Sequence, residues 1–273
     1  MALPVALQLY TVRDDLAKDF EGTIQKVAAM GYQGVEPAGY PIPVEKMMEI
    51  FKKYGLACPS AHVPLAALAA DPEGELQKCK LLGMKYAAIP YLGDGERPAQ
   101  PGFEDTLTKI RVIGSAAKKL GITLLYHNHD FEFVKIGDKY GLDVMYETIP
   151  ADLLQTELDT CWVNVGGEDP AAFILKYSGR APVVHLKDFV MKGKKPKKLY
   201  ALIGIKDDGE GADEEAFSFR PVGYGAQDIP AILEASEKAG AEWVVVEQDM
   251  PAKGQTPLES AALSREYLKK LGW

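Results

Sequence analysis

The chain holds four histidines, His62, His127, His129 and His185, and three of them sit in short polar runs: YHNHDFEF over 126–133 and HLKD over 185–188. Two further runs, ELDT over 157–160 and VEQD over 246–249, supply carboxylates. Carboxylate oxygens plus one imidazole, with no thiolate, suit Mn²⁺, Mg²⁺, Co²⁺ or a catalytic Zn²⁺. The cysteines, Cys58, Cys79 and Cys161, are odd in number and never spaced CxxC. That pattern argues against a disulfide framework or a thiolate zinc site and for a reducing compartment, so the cytoplasm is the expected location. Each group also has a plainer reading. One histidine is often a hydrogen-bonded packing residue, and one acid, such as Asp188 or Asp249, is often the N-cap of the next helix. The plainer reading weakens when four successive segments each offer a ligand type.

The segments that carry these groups look like strands. Candidate strands are Val5–Tyr10, Gly34–Ala38, Ala57–Val63, Tyr86–Tyr91, Ile122–His129, Leu154–Thr160, Val183–Phe189 and Trp243–Asp249. Several are near-continuous apolar runs, as parallel strands covered on both faces are. Between them lie stretches of helical period that end in glycine, as at Gly31, Gly55, Gly83, Gly121 and Gly240. Glycine there closes the last turn in the left-handed conformation without a Cβ clash. Met47, Ile50, Phe51 and Tyr54 form one apolar helical stripe, and Thr256-Pro257-Leu258-Glu259 is a capping box with proline at the first helical position.

Strand alternating with helix through the chain predicts a parallel sheet. Eight such units in 273 residues predict a closed (β/α)8 TIM barrel, with residues 1–273 as a single domain. An open doubly wound sheet would favour a glycine-rich phosphate loop after the first strand, and QLYTVRDD has no glycine. The barrel places chemistry at the C-terminal strand ends, and the polar residues fall there: Gln8, Tyr10 and Arg13, then Glu36, His62, the 126–133 run, Glu157 and Asp159, His185 with Lys187, and Glu247 with Asp249. If the fifth strand stays regular, Tyr126, Asn128, Asp130 and Glu132 share one face and His127 and His129 the other.

One segment breaks the rhythm. An insertion from Val190 to Gly225 follows the seventh strand and carries a basic run, Lys192 to Lys198, then an acidic run, Asp207 to Glu215. It reads as a solvated inserted hairpin whose arms neutralise each other, with a phosphate or nucleic-acid grip as the rival reading. The net charge of −8 disfavours nucleic acid and leaves a small molecule as the expected partner. No apolar run approaches a membrane span, and MALPVALQLYTVRDD lacks the basic lead of a signal peptide.

YHNHDFEF, ELDTCWVNVGGEDP, VVHLKDF, PVGYGAQDIPAIL and VVVEQD, in this order, resemble the xylose isomerase-like TIM-barrel superfamily, most closely the bacterial sugar phosphate isomerase/epimerase branch. The resemblance covers nearly the whole chain. It implies one divalent ion held by Glu, Asp, His and Glu from the last strands. By motif, Asp159, His185 and Glu247 match three of these. The position of the first Glu falls on Tyr126, and the motif's second, substrate-facing Glu falls on Glu132. Glu132 is therefore the expected fourth ligand, with His127 or His129 as substitutes. Glu36, His62, His127, His129 and Arg220 are expected at the substrate, a sugar or sugar phosphate.

The implied reaction is proton abstraction next to a carbonyl through an enediolate, giving a metal-dependent sugar isomerase or epimerase. Glu132 or Glu247 would be the base, and Lys187 and Arg220 would bind oxygens or a phosphate. Lys187, within HLKD, also resembles the inosose dehydratase branch, so loss of a neighbouring hydroxyl is the alternative outcome. A non-catalytic sugar-binding barrel is a third. Endonuclease IV shares the superfamily, but its three-zinc site uses at least five histidines. Dimers are common among such proteins, and a homodimer stays open.

Overall fold

A computed structural model describes residues 2–193, 199–200 and 216–273. Its strands are β1 (Val5–Gln8), β2 (Gly34–Glu36), β3 (Tyr86–Ile89), β4 (Thr123–His127), β5 (Lys135–Ile136), β6 (Lys139–Tyr140), β7 (Gln155–Asp159), β8 (Val183–Leu186), β9 (Asp188–Met191), β10 (Phe217–Arg220) and β11 (Trp243–Val246). Seven of them form one parallel sheet in the order β2-β1-β11-β8-β7-β4-β3.

The two edges of that sheet are joined by the segment 57–63. Single parallel bridges link Gly34 to Ala57, Ala38 to His62 and His62 to Ala88. Backbone N–H groups of Val35 and Gly39 donate to the carbonyls of Ala57 and His62, and the N–H of Val63 donates to that of Ala88. The expected third strand therefore closes the barrel, but as isolated bridges and not as a ladder. Pro59 in its middle has no N–H to give, and its carbonyl accepts from Lys85 and Tyr86.

Helices pack outside the sheet. Gly121 and Gly240, at φ 75° and 83°, end the helices Phe103–Leu120 and Ile229–Ala239 in the left-handed conformation. Thr256 accepts from the Glu259 N–H at 3.2 Å while Glu259 accepts from the Thr256 N–H at 2.7 Å, so the capping box forms, a feature worth about 1 kcal/mol. Side chains such as Leu7, Val35, Leu124, Leu158, Val184 and Val246 point outward into the layer shared with the helices. None of the helices in the described residues is long and apolar enough to cross a membrane.

Inside the barrel the lower layer is Ala6, Tyr86, Ala88, Leu125, Val183 and Val245, with Trp243 beneath. Residues two apart on a strand share a face. One step further along each strand, the inward positions are Gln8 after Ala6, His127 after Leu125, His185 after Val183 and Glu247 after Val245. The barrel interior thus turns from apolar to polar along the strand direction, and Gln8, Glu36, His127, Glu157, Asp159, His185 and Glu247 are all buried there.

Beyond β8 the chain runs into β9, which pairs antiparallel with β10. This pair packs Phe189, Phe217 and Phe219 on Trp162, Val165 and Leu199. It flanks the inserted segment. The bulk of the charged runs expected in a hairpin, 194–198 and 201–215, lies outside the described residues.

Candidate functional site

The polar interior is built in two tiers. In the lower tier Glu36 accepts from Gln8 Nε2 at 2.8 Å and from the Ser60 hydroxyl, and its Oε2 lies 2.7 Å from His185 Nε2. Glu157 Oε2 lies 2.7 Å from His62 Nε2, 3.1 Å from His127 Nδ1 and 3.4 Å from His185 Nε2. In the upper tier His127 Nε2 lies 3.8 Å from Asp159 Oδ2 and 4.0 Å from Glu247 Oε2, and His185 Nδ1 lies 3.1 Å from Glu247 Oε2. The ligand atoms of His127, Asp159, His185 and Glu247 all fall within 4.8 Å of one another, as do those of His62, His127, Glu157 and His185.

Asp159 shows how the fold aims a ligand. Its Oδ1 accepts from the Trp162 N–H at 2.9 Å and caps the helix Thr160–Val165. Its Oδ2 is buried without a hydrogen bond and faces the upper tier, with His127 Nε2 3.8 Å and Lys187 Nζ 3.5 Å away. The Lys187 ammonium offsets its charge at ion-pair distance but makes no hydrogen bond to it, and a buried polar atom left so is costly. The donor chemistry and this orphaned oxygen both fit a divalent ion held by His127, Asp159, His185 and Glu247.

Burial opposes a charge on His185, but Glu157 and Glu36 hold its ring well above the ordinary value, so an ion bound there would displace a proton from it. Burial pushes Asp159 up to about 6, against the pull of Lys187. Burial also opposes ionisation of Glu157, but His185 and His62 beside it hold its carboxyl well below the usual range. Glu247 behaves likewise, with Lys187 and His185 as its partners. Burial drives His127 down to about 3 and His129 well below its ordinary value, so both rings are neutral, the form that binds metal. Lys187 resists burial because Asp249, Glu247 and Asp159 surround its ammonium, with Nζ 2.7 Å from Asp249 Oδ2 and 3.0 Å from Glu247 Oε2.

A cavity of about 300 Å³ opens above these tiers. Tyr10, His62, Tyr91, His129, Lys187 and Asp249 line it, with His127 and Glu247 at its floor. His129 stacks on the rings of Phe131 and Trp162, whose centroids lie 5.5 and 5.3 Å away, and the Tyr91 ring stands perpendicular to it at 5.1 Å.

The expected residues divide accordingly. His62, His127, His129, Lys187 and Glu247 reach the cavity, and Asp159 and His185 join the donors beneath it. Glu36 lies in the lower tier, buried behind His185 and apart from the cavity wall. Glu132, expected as ligand or base, is not among the donors. After His127 the chain turns through Phe131–Phe133, and the carboxyl of Glu132 folds back to accept from the Tyr126 hydroxyl and, at 2.8 Å, from the His129 N–H. His127 stands in the donor set instead. Arg220 lines a separate cavity with Lys192, Met250 and Lys253, and its Nη1 donates to the Phe219 carbonyl at 3.0 Å. Glu157 is a strand-end acid outside the ligand set that the resemblance implies, and its two-residue spacing from Asp159 places both on the inner face.

A family model described as a xylose isomerase-like TIM barrel matches residues 24–271. The inosose dehydratase of Clostridium beijerinckii is 25% identical over an alignment covering 94% of this chain and 91% of that protein. Among solved structures, a sugar phosphate isomerase/epimerase from Parabacteroides distasonis superposes with a TM-score of 0.76 at 21% identity, covering 98% of this chain and 94% of the other. The IolI protein with a bound zinc atom superposes with a TM-score of 0.72 at 14% identity, covering 98% of both chains.

Proposed function

Since the chain belongs to the xylose isomerase-like TIM-barrel family, we propose that it is a divalent-metal-dependent enzyme that removes a proton next to the carbonyl of a sugar or sugar derivative. The observation that carries this reading is the convergence of four buried donors from four separate strands, His127, Asp159, His185 and Glu247, directly below a cavity. A divalent ion held by these four donors would supply Lewis acidity for the negative charge that develops when the proton leaves.

The chain's own residues do the rest. Glu247, kept charged beside Lys187, takes the proton at the cavity floor. The Lys187 ammonium binds substrate oxygen and offsets the charge that develops there. His62 stands three strand positions round the cylinder from Glu247 and returns a proton from the other side. His129, neutral and stacked on two aromatic rings, orients the substrate. Return of a proton to the same carbon from the opposite face gives epimerisation, and return to the neighbouring, former carbonyl carbon, with a proton shifting between the two oxygens, gives isomerisation. The relative named inosose dehydratase favours a second outcome, in which the same enediolate expels the adjacent hydroxyl.

Metal analysis of the purified protein, followed by turnover of a panel of ketoses and inososes in deuterated water, tests the proposal. The expected result is a stoichiometric divalent ion, activity lost to EDTA and deuterium in the substrate carbon. Water release on the inososes alone would assign the dehydratase outcome. No bound Mn, Mg, Co or Zn, with thermal stability indifferent to EDTA, would overturn the metalloenzyme reading.

A further inference from the structure

One carboxylate oxygen beneath the upper tier faces three imidazoles. Glu157 Oε2 lies 2.7 Å from His62 Nε2, 3.1 Å from His127 Nδ1 and 3.4 Å from His185 Nε2. Glu157 is fully buried, and its strand β7 also carries Asp159 one inward step higher. The second lower-tier acid, Glu36, places Oε2 2.7 Å from His185 Nε2.

An imidazole binds a metal through a lone pair on one nitrogen, and the hydrogen bond made by the other nitrogen decides which one is free. The two shared rings are turned opposite ways. His127 directs Nδ1 down to Glu157 and Nε2 up towards Asp159 and Glu247. His185 directs Nε2 down to Glu36 and Glu157 and Nδ1 up to Glu247. Both rings thus have acids behind them and the same upper space in front.

We infer that Glu157 is the positioning residue of the metal centre: it accepts the Nδ1–H of His127, shares the Nε2–H of His185 with Glu36, and so presents one lone pair from each ring to the ion. This rests on the reading that the upper donors hold a divalent ion. The same oxygen also accepts from His62, so a cavity-lining imidazole and a metal ligand share one acceptor. A second ion among His62, His127, Glu157 and His185 is the competing use of these residues. The 2.7 Å separation of His62 and Glu157 is that of a hydrogen bond, which favours a proton between them.

Chelator competition with Co²⁺ and Zn²⁺, with the visible absorption of bound Co²⁺ as a second readout, tests Glu157→Gln against the wild type and Glu36→Gln. The expected result is one ion per chain, an affinity about 10- to 100-fold weaker in Glu157→Gln with an altered Co²⁺ spectrum, and a smaller loss in Glu36→Gln. A merely structural role would change stability in EDTA and leave the Co²⁺ spectrum alone. Nitrogen-15 NMR of histidine-labelled, Zn²⁺-loaded wild type needs no variant to fold: His127 is expected as the Nδ1–H tautomer and His185 as the Nε2–H tautomer. A wild type that binds no divalent ion would sink the metal reading and this inference together. Unchanged affinity and spectrum in Glu157→Gln, the opposite His127 tautomer, or two ions per chain would overturn the role of Glu157 while leaving a metal centre in place.

Discussion

Lys187 Nζ lies 3.0 Å from Glu247 Oε2 and 3.5 Å from Asp159 Oδ2, two oxygens of the proposed metal donors, and 2.7 Å from Asp249 Oδ2. Without metal, the ammonium is the cation that neutralises this pocket. A divalent ion held by Asp159 and Glu247 would place a like charge a few ångströms from the ammonium, leaving Asp249 as its main partner. Lys187→Met is therefore expected to tighten divalent binding by about tenfold or more, since charges this close repel strongly at an effective dielectric near 20. It should also destabilise the metal-free protein by about 3–5 kcal/mol, because buried carboxylates lose their partner. Chelator competition and melting curves in EDTA read the two effects, and weaker metal binding in the variant would refute the first.

Glu132 carries the pH dependence that can be followed away from the donors. Burial pushes it up to about 8, against hydrogen bonds from Tyr126 and His129 that favour its charged form. The folded protein then holds a proton that the unfolded chain releases near 4.5. Stability from this group is complete below about 4.5 and declines as pH rises towards about 8. Glu132→Gln should flatten that slope in denaturant titrations between these limits, and identical slopes would disprove it. The residue pattern already held the key to its place. A regular strand would put Tyr126 and Glu132 on one face and His127 and His129 on the other, whereas the resemblance implies Glu132 because the motif's second Glu falls on that position. What the sequence did not carry was the turn at Phe131–Phe133 that folds Glu132 back onto Tyr126.

At the scale of elements, the loop after β10 is organised by one acid. Asp188 accepts from the N–H groups of Phe189, Gly223, Gly225 and Gln227 at 2.9, 3.0, 2.9 and 3.1 Å. A Cβ on Gly225 would come within 2.1 Å of Asp188 Oδ1, so that position must stay glycine for the loop to close on the carboxylate. The HLKD run suggested a helix N-cap at Asp188, yet Asp228 caps the following helix, accepting from the Ala231 N–H at 3.1 Å. Short-range spacing cannot tell these roles apart, because three of the four partners of Asp188 lie more than thirty residues away, at the far end of the insertion. Asp188→Asn replaces an acceptor with an amide that must turn N–H groups toward N–H groups. The expected loss is about 1–3 kcal/mol in thermal or chemical denaturation. Metal affinity should stay within a few-fold, since none of the four donors lies in this loop.

For the whole molecule, the repeating glycine-ended helices made the barrel legible, because each unit uses local chemistry to stop a helix and start a strand. Closure was harder to read. The segment 57–63 contains Pro59 and joins its neighbours through three isolated bridges, so its place between β2 and β3 depends on contacts that spacing does not encode. That weakly laddered seam also carries His62 into the cavity, which ties barrel closure to the site. We propose that residues 1–273 unfold as one domain, with the polar upper tier as the part most in need of a bound ion. The donors come from β4, β7, β8 and the end of β11, so an ion that holds them stitches four strands together and binds only the folded state. At about 100 times its Kd such an ion contributes about 2.7 kcal/mol. For a chain of this size that corresponds to a rise of about 5–10 °C in Tm. Calorimetry with and without Zn²⁺ or Mn²⁺ should therefore show one cooperative transition that moves upward intact. A split into two transitions would refute the single domain, and an unmoved one would refute the stitching of the four strands.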